Sequence, residues 1–274
     1  MMTALRRYGF VLRVAARQQW AYRGELLARS ISTVLFIGIF VALWSAVFGI
    51  RGGGELAGYS LADMVWYLAM TETVALSTSR IFIEISDAVK AGDLAYTLTR
   101  PMSYPFYQVA NSLGNSVPRF VLNLVTASAV AFISVGWGPL AQAGQGLGGL
   151  AGPLAFLGMA WLALLLDTLI AVLIGLTAFW MEEVLPAFWI YQKLLFTVGG
   201  LFLPLELFPA WLRRVANWLP FRYVTNVPAR AFVAFTPAEV LPAVGGQLAY
   251  IAVLALVVIL VWRAAQRRLV VHGG

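Results

Sequence analysis

Six apolar stretches, each near the length that a helix needs to cross a bilayer, run through this sequence with arginines at their ends. About twenty apolar residues carry a helix through the hydrocarbon core. The reading is an all-α membrane protein with six transmembrane helices, whose function rests on the few polar residues inside or beside the lipid. Composition agrees. Of 274 residues, 61% are hydrophobic and 11% charged, whereas a soluble domain carries about 25% charged residues. The polar shell of a soluble fold is missing, and the length suits six spans plus loops as one membrane domain, 1–274.

The spans fall at about 31–48, 61–83, 117–135, 154–180, 187–203 and 244–262. Ahead of them, 1–29 reads as an interfacial helix. Arg6, Arg13 and Arg17 take one side of its wheel, and Tyr8, Val11, Leu12, Ala15, Tyr22 and Leu26 the other. No cleavable leader is visible, so the first span is expected to insert the chain. Net charge is +7 and nearly all of the cations are arginine. Given the apolar spans, this marks headgroup contact and orientation rather than nucleic acid. Arg6, Arg7, Arg13, Arg17, Arg23, Arg29, Arg80, Lys90, Arg100, Arg119, Arg263, Arg267 and Arg268 share one side if the spans number six. That side is the cytoplasm, with both termini. Arg213, Arg214, Arg222 and Arg230 then lie outside, among residues that read as interfacial. Without cysteine, and with His272 alone in the tail, disulfides and thiolate chemistry are excluded and no metal or catalytic site is expected.

Two segments between spans carry specific patterns. The cytoplasmic stretch 84–107 offers Ser86 as an N-cap, Asp87 in a first turn, Lys90 in a last turn and Gly92 for a left-handed stop. This predicts a short exposed helix over 87–91. Asp93 can cap a second turn before Arg100 and Pro101 break it. The outer stretch 204–242 places Trp211, Leu212, Val215, Trp218 and Leu219 on one helical face, and Pro220 stops that helix. A second short helix is expected over 228–235. Neither piece is long enough to cross, so both should dip into the interface and return.

This order resembles the membrane subunit of ATP-binding-cassette exporters of the ABC-2 type, the fold of ABCG-like transporters: basic interfacial helix, two spans, cytoplasmic knob, three spans, re-entrant outer pair, final span. The sequence GDLAYTLTRP, 92–101, is similar to a segment of bacterial permeases often encoded as two permeases beside one ATPase. PLELFPAWLRRVANWLPF, 204–221, is similar to their outer loop. The resemblance implies a coupling helix at 87–91 that enters a groove on a nucleotide-binding subunit, with Asp87, Lys90, Gly92, Asp93, Leu94 and Arg100 as contact residues. It makes 1–29 a connecting helix and lines a path with spans two and five. It also implies an outer gate over 204–235, with Pro204, Phe208, Pro209, Trp211, Trp218 and Pro220. The partners implied are ABC ATPase subunits, a second permease (the same chain or a paralogue) and lipid, in a bacterial inner membrane. No Walker A pattern, GxxxxGK[ST], occurs. ATP and Mg²⁺ are therefore expected on a separate ATPase, with no cofactor on this chain and no enzyme activity of its own.

Two acids lie at span centres, Glu72 in the second and Asp167 in the fourth, each costing on the order of 2.5 to 3.5 kcal/mol if ionised there. They either attract a cationic substrate or are held by hydrogen bonds that orient helices. Thr71, Thr73, Ser77 and Ser79 share Glu72's span, which argues that it does not face lipid all round. Lys193 is expected to pair with Glu182 or Glu183 across a short turn, and is otherwise a path candidate. Phe188, Trp189, Tyr191 and Phe196 either stack on flat substrates or pack. Two other functions fit an apolar bundle: an ion-coupled secondary transporter relaying protons through Glu72 and Asp167, and a lipid-modifying membrane enzyme. The paired broken helices of inverted-repeat transporters are not visible, and the one acidic pair, Glu182 and Glu183, has no histidine beside it.

Overall fold

The computed structural model describes residues 2–21, 23–92, 94, 102–138 and 147–272, and the regular structure among them is helical. The helices are α1 (Met2–Ala21), α2 (Arg23–Ile50), α3 (Leu61–Ala75), α4 (Ile81–Lys90), α5 (Tyr104–Val135), α6 (Ala151–Leu176), α7 (Leu185–Thr197), α8 (Ala210–Asn217), α9 (Asn226–Val233) and α10 (Pro237–His272). Four of the described helices are long and apolar enough to cross a membrane: Ser30–Ile50 within α2, Tyr104–Val135, Ala151–Phe179 and Pro237–Arg268. The chain is a multi-pass membrane protein.

α6 is the hub. Fifteen of its 26 residues are buried, and α4, α5, α9 and α10 pack on it. α5 carries α1, α2 and α3 on its other sides. Close approach is set by glycines. A side chain at Gly114 of α5 would strike the backbone of Leu12 and the Ala15 methyl of α1. One at Gly175 of α6 would strike Ile85 of α4, and one at Gly152 the carbonyls of Ala231 and Phe232 in α9. Gly152 and Gly175 lie at opposite ends of α6, roughly 35 Å apart at 1.5 Å per residue. α4 and α9 therefore mark opposite faces of the bundle.

The first helix keeps the expected polarity: Arg6, Arg13 and Arg17 are exposed, while Ala15 is buried. It ends at Ala21 rather than Arg29, and the residues from Arg23 belong to α2. Tyr22 and the side chain of Leu26 lie outside the described residues. The continuous second span expected over 61–83 is two helices, α3 and α4, with an irregular link between them. Its serines and threonine compete for backbone groups. Ser77 donates to the Thr73 carbonyl and Thr78 to that of Ala75. α3 opens on a reciprocal cap, in which the Asp63 amide donates to Ser60 Oγ at 3.2 Å and the Ser60 amide to Asp63 Oδ2 at 3.0 Å. The third span begins early, at Tyr104, because Pro105 seeds its first turn. The fifth is short: α7 ends at Thr197, and Gly200 then takes φ +75.

Candidate functional site

At the α4 end, the helix is ten residues long and starts at Ile81, not at Asp87. Ser86 is buried in mid-helix and caps nothing; the apolar repeat Ile81, Phe82 and Ile85 carries the helix upstream because that face packs on α6. Phe82 stacks on Phe188 of α7 at 4.1 Å. The opposite face presents Arg80, Glu84, Asp87 and Ala91, spaced by three or four residues, and all are exposed. Gly92 takes the left-handed conformation, φ +73, that the stop requires. Lys90 in the last turn meets Glu183 at 2.8 Å. Leu94 is fully buried; Asp93 and Arg100 lie outside the described residues.

That ion pair corrects the expectation for Lys193. Glu183 is taken by Lys90, while Lys193 is exposed with its Nζ 5.4 Å from the Phe196 ring centre. α7 begins only at Leu185, so Lys193 stands two turns, about 12 Å, above the acidic pair.

Between the two ends runs a buried polar seam, and the α3–α4 link is its centre. Asn123 of α5 accepts from Thr33 of α2 at 3.2 Å and donates to Ser77 at 3.1 Å. Ser79 shares a hydrogen bond with Ser112 of α5, which in turn lies 3.4 Å from Thr168 of α6. Irregular backbone at membrane depth survives only where protein satisfies it, and here Arg119 of α5 donates to the Thr78 carbonyl at 3.3 Å. Beside the seam, Asp167 is buried and accepts from the Tyr191 hydroxyl at 2.6 Å, tying α6 to α7. Glu72 is also buried, but its Oε1 has no hydrogen-bond partner among the described residues. Among the described residues no hydrogen bond joins the two acids into a relay. Among the described residues no three His, Cys, Asp or Glu side chains gather as metal ligands would.

At the α9 end, Pro204 opens a single 3-10 turn, Leu205–Leu207, and Pro209 caps α8. Leu212, Leu219 and Phe208 pack around Ala216 and Val198, leaving Trp211 and Trp218 64% and 82% exposed. Pro220 begins the next 3-10 turn, Pro220–Tyr223, so α8 stops as expected. The second helix spans Asn226–Val233, two residues earlier than its proline suggested. It is locked inward: Asn226 donates to the Tyr67 hydroxyl at 2.9 Å, and Tyr67 donates to the Gly200 carbonyl. Arg230 bridges Glu206 at 3.2 Å and Glu239 at 2.9 Å. Tyr59 donates to Glu206 at 3.2 Å; burial, with the carboxylate beside it, pushes this hydroxyl above its ordinary range and keeps it a donor.

Asn123, Tyr67 and Asn226 escaped the sequence reading, and Tyr191 entered it only as an aromatic. Intramembrane Asn residues are a usable signal, because the interior must pair them. The match with known proteins covers most of the chain: the model of a family described as ABC-2 family transporter protein fits residues 30–273. No curated protein matches.

Proposed function

The chain belongs to the ABC-2 transporter family, and on that premise we propose that it is the permease subunit of an ATP-binding-cassette exporter driven by separate ATPase subunits. α4 supports this most directly. One face is anchored on α6 and α7, and the other offers Arg80 and Asp87 to a partner beyond the bundle, with Glu84 turned to Asn111 of α5. In this reading that face enters the ATPase, which holds ATP and Mg²⁺, on the cytoplasmic side of a bacterial inner membrane. The positive-inside bias favours the same side, since α1, the first turns of α2 and the end of α10 together carry nine of the 17 arginines. A second permease, the same chain or a paralogue, completes the path. Closure of the ATPase pair moves α4, the bundle opens at the α8–α9 end, and the substrate leaves there. Trp211, Trp218 and the proline-framed turns form the gate. Glu72, a carboxylate with an oxygen still unpaired at membrane depth, is the residue best suited to meet a cationic substrate.

The test is coupling. With its ATPase in proteoliposomes, Asp87→Lys should cut transport per ATP hydrolysed roughly tenfold, the equivalent of about 1.4 kcal/mol of lost contact, while membrane insertion is unchanged. Wild-type hydrolysis, its substrate stimulation and transport in that variant reject α4 as the docking element.

A further inference from the structure

A cavity of about 350 Å³ opens between the Pro220–Tyr223 turn, α9, α6 and the first turns of α10. Its lining combines the apolar side chains of Met159, Val227 and Val240 with the charged ones of Arg222, Arg230 and Glu239. The two arginines differ. Arg230 is neutralised by carboxylates on both sides, Glu206 and Glu239. Arg222 donates to Asn217 and, at 3.2 Å, to the Tyr223 hydroxyl, and its guanidinium lies 4.7 Å from the Tyr223 ring centre. All of those partners are neutral. Among the described residues, then, the cavity is lined by one cation whose hydrogen-bond partners carry no charge to offset it, beside the apolar side chains of Met159, Val227 and Val240.

The surroundings say which kind of anion fits. Trp218, 82% exposed, lies four residues before Arg222, and tryptophans so placed sit at the headgroup layer. On α10, Leu241 and Leu248 are exposed beside the cavity-lining Val240 and Pro242 and offer an acyl-chain surface. Arginine suits phosphate by charge and by donor geometry. We propose that this cavity binds an anionic phospholipid, with the phosphate at Arg222 and the chains against Met159, Val227 and the α10 surface. The proposal goes beyond transport and needs only that this end of the bundle meets a headgroup layer.

The intact protein in nanodiscs of phosphatidylcholine, doped with a low fraction of phosphatidylglycerol, gives the test. Native mass spectrometry counts the lipid retained after mild delipidation, and thermal unfolding reports its effect on the fold. Phosphatidylglycerol should be retained preferentially, saturate at one molecule per chain and raise Tm. Arg222→Gln should lower the preference at least about tenfold. Because Arg222 also steadies its turn, Ala238→Trp is the second variant. It fills the cavity from an exposed lining position, leaves Arg222 in place and should abolish the preference as well. Millimolar inorganic phosphate in pure phosphatidylcholine should leave Tm unchanged. A shift equal to that of phosphatidylglycerol would mark a free-anion site and overturn the lipid assignment. So would a lipid preference that survives both variants.

Discussion

α2 and α3 follow each other in the chain and meet opposite surroundings. α2 is 28 residues long, and Ile31, Leu35 and Ile39 on it are 63% to 66% exposed. α3 has 15 residues, and every one from Met64 to Val74 is buried. α2 turns this face away from the rest of the chain, and from Ile31 to Ile50 it is long and apolar. For α3 the solvent is α2, α5 and α9, so it can be short, carry Thr71, Glu72 and Thr73, and end in irregular backbone. Hydropathy reports what a helix can face. It does not report how far that helix runs.

The sharpest way to break this contrast is Trp66→Ala. Trp66 is 3% exposed, donates to the Gly136 carbonyl at 3.1 Å and stacks on Phe232 at 5.3 Å. Its truncation should destabilise the protein by about 3 to 5 kcal/mol, read as a fall in Tm of the purified chain in detergent. An unchanged Tm would mean that α3 is not packed as described. Next comes Glu72→Gln, which keeps the shape and removes the charge. Stability should hold or rise by about 1 kcal/mol, since an ionised group at this depth is costly, while export of cations falls and export of neutral compounds does not. Equal loss for both would reject Glu72 as a cation contact. Smallest is Leu35→Ala on the outward face of α2, expected within about 0.5 kcal/mol. A clearly larger loss in the assembled transporter would assign that face to a second subunit rather than to lipid.

The long elements were legible because their signal is local. Apolar length marks α2, α6 and α10, and the arginine face of α1 follows from periodicity alone. Gly92 was legible too, because a glycine after a basic last turn has a steric reason to be there. The α3–α4 break was not. Ser77 and Ser79 read only as polar until Asn123, 46 residues from Ser77, supplies a partner. Lys90 pairs with Glu183 across 93 positions, which no local pattern reports. Gly175 sits inside an apolar run where glycine is common and Gly114 in the polar stretch 111–116 ahead of the third expected span, and only the helices crossing at them give a reason for the missing side chain. Of the site residues, Asp167 was flagged by its charge; its partner Tyr191 was hidden among aromatics that pack.

α4 is fastened sideways, by Ile85 seated at Gly175 and Phe82 laid on Phe188, whereas only the irregular stretch 76–80 leads back to α3. A load applied to its outward face is therefore shouldered first by the helices that share the Asp167–Tyr191 bond. The link back to α3 is itself pinned to α5, through Asn123 on Ser77 and Ser112 on Ser79, so α5 stands between such a load and the helix upstream.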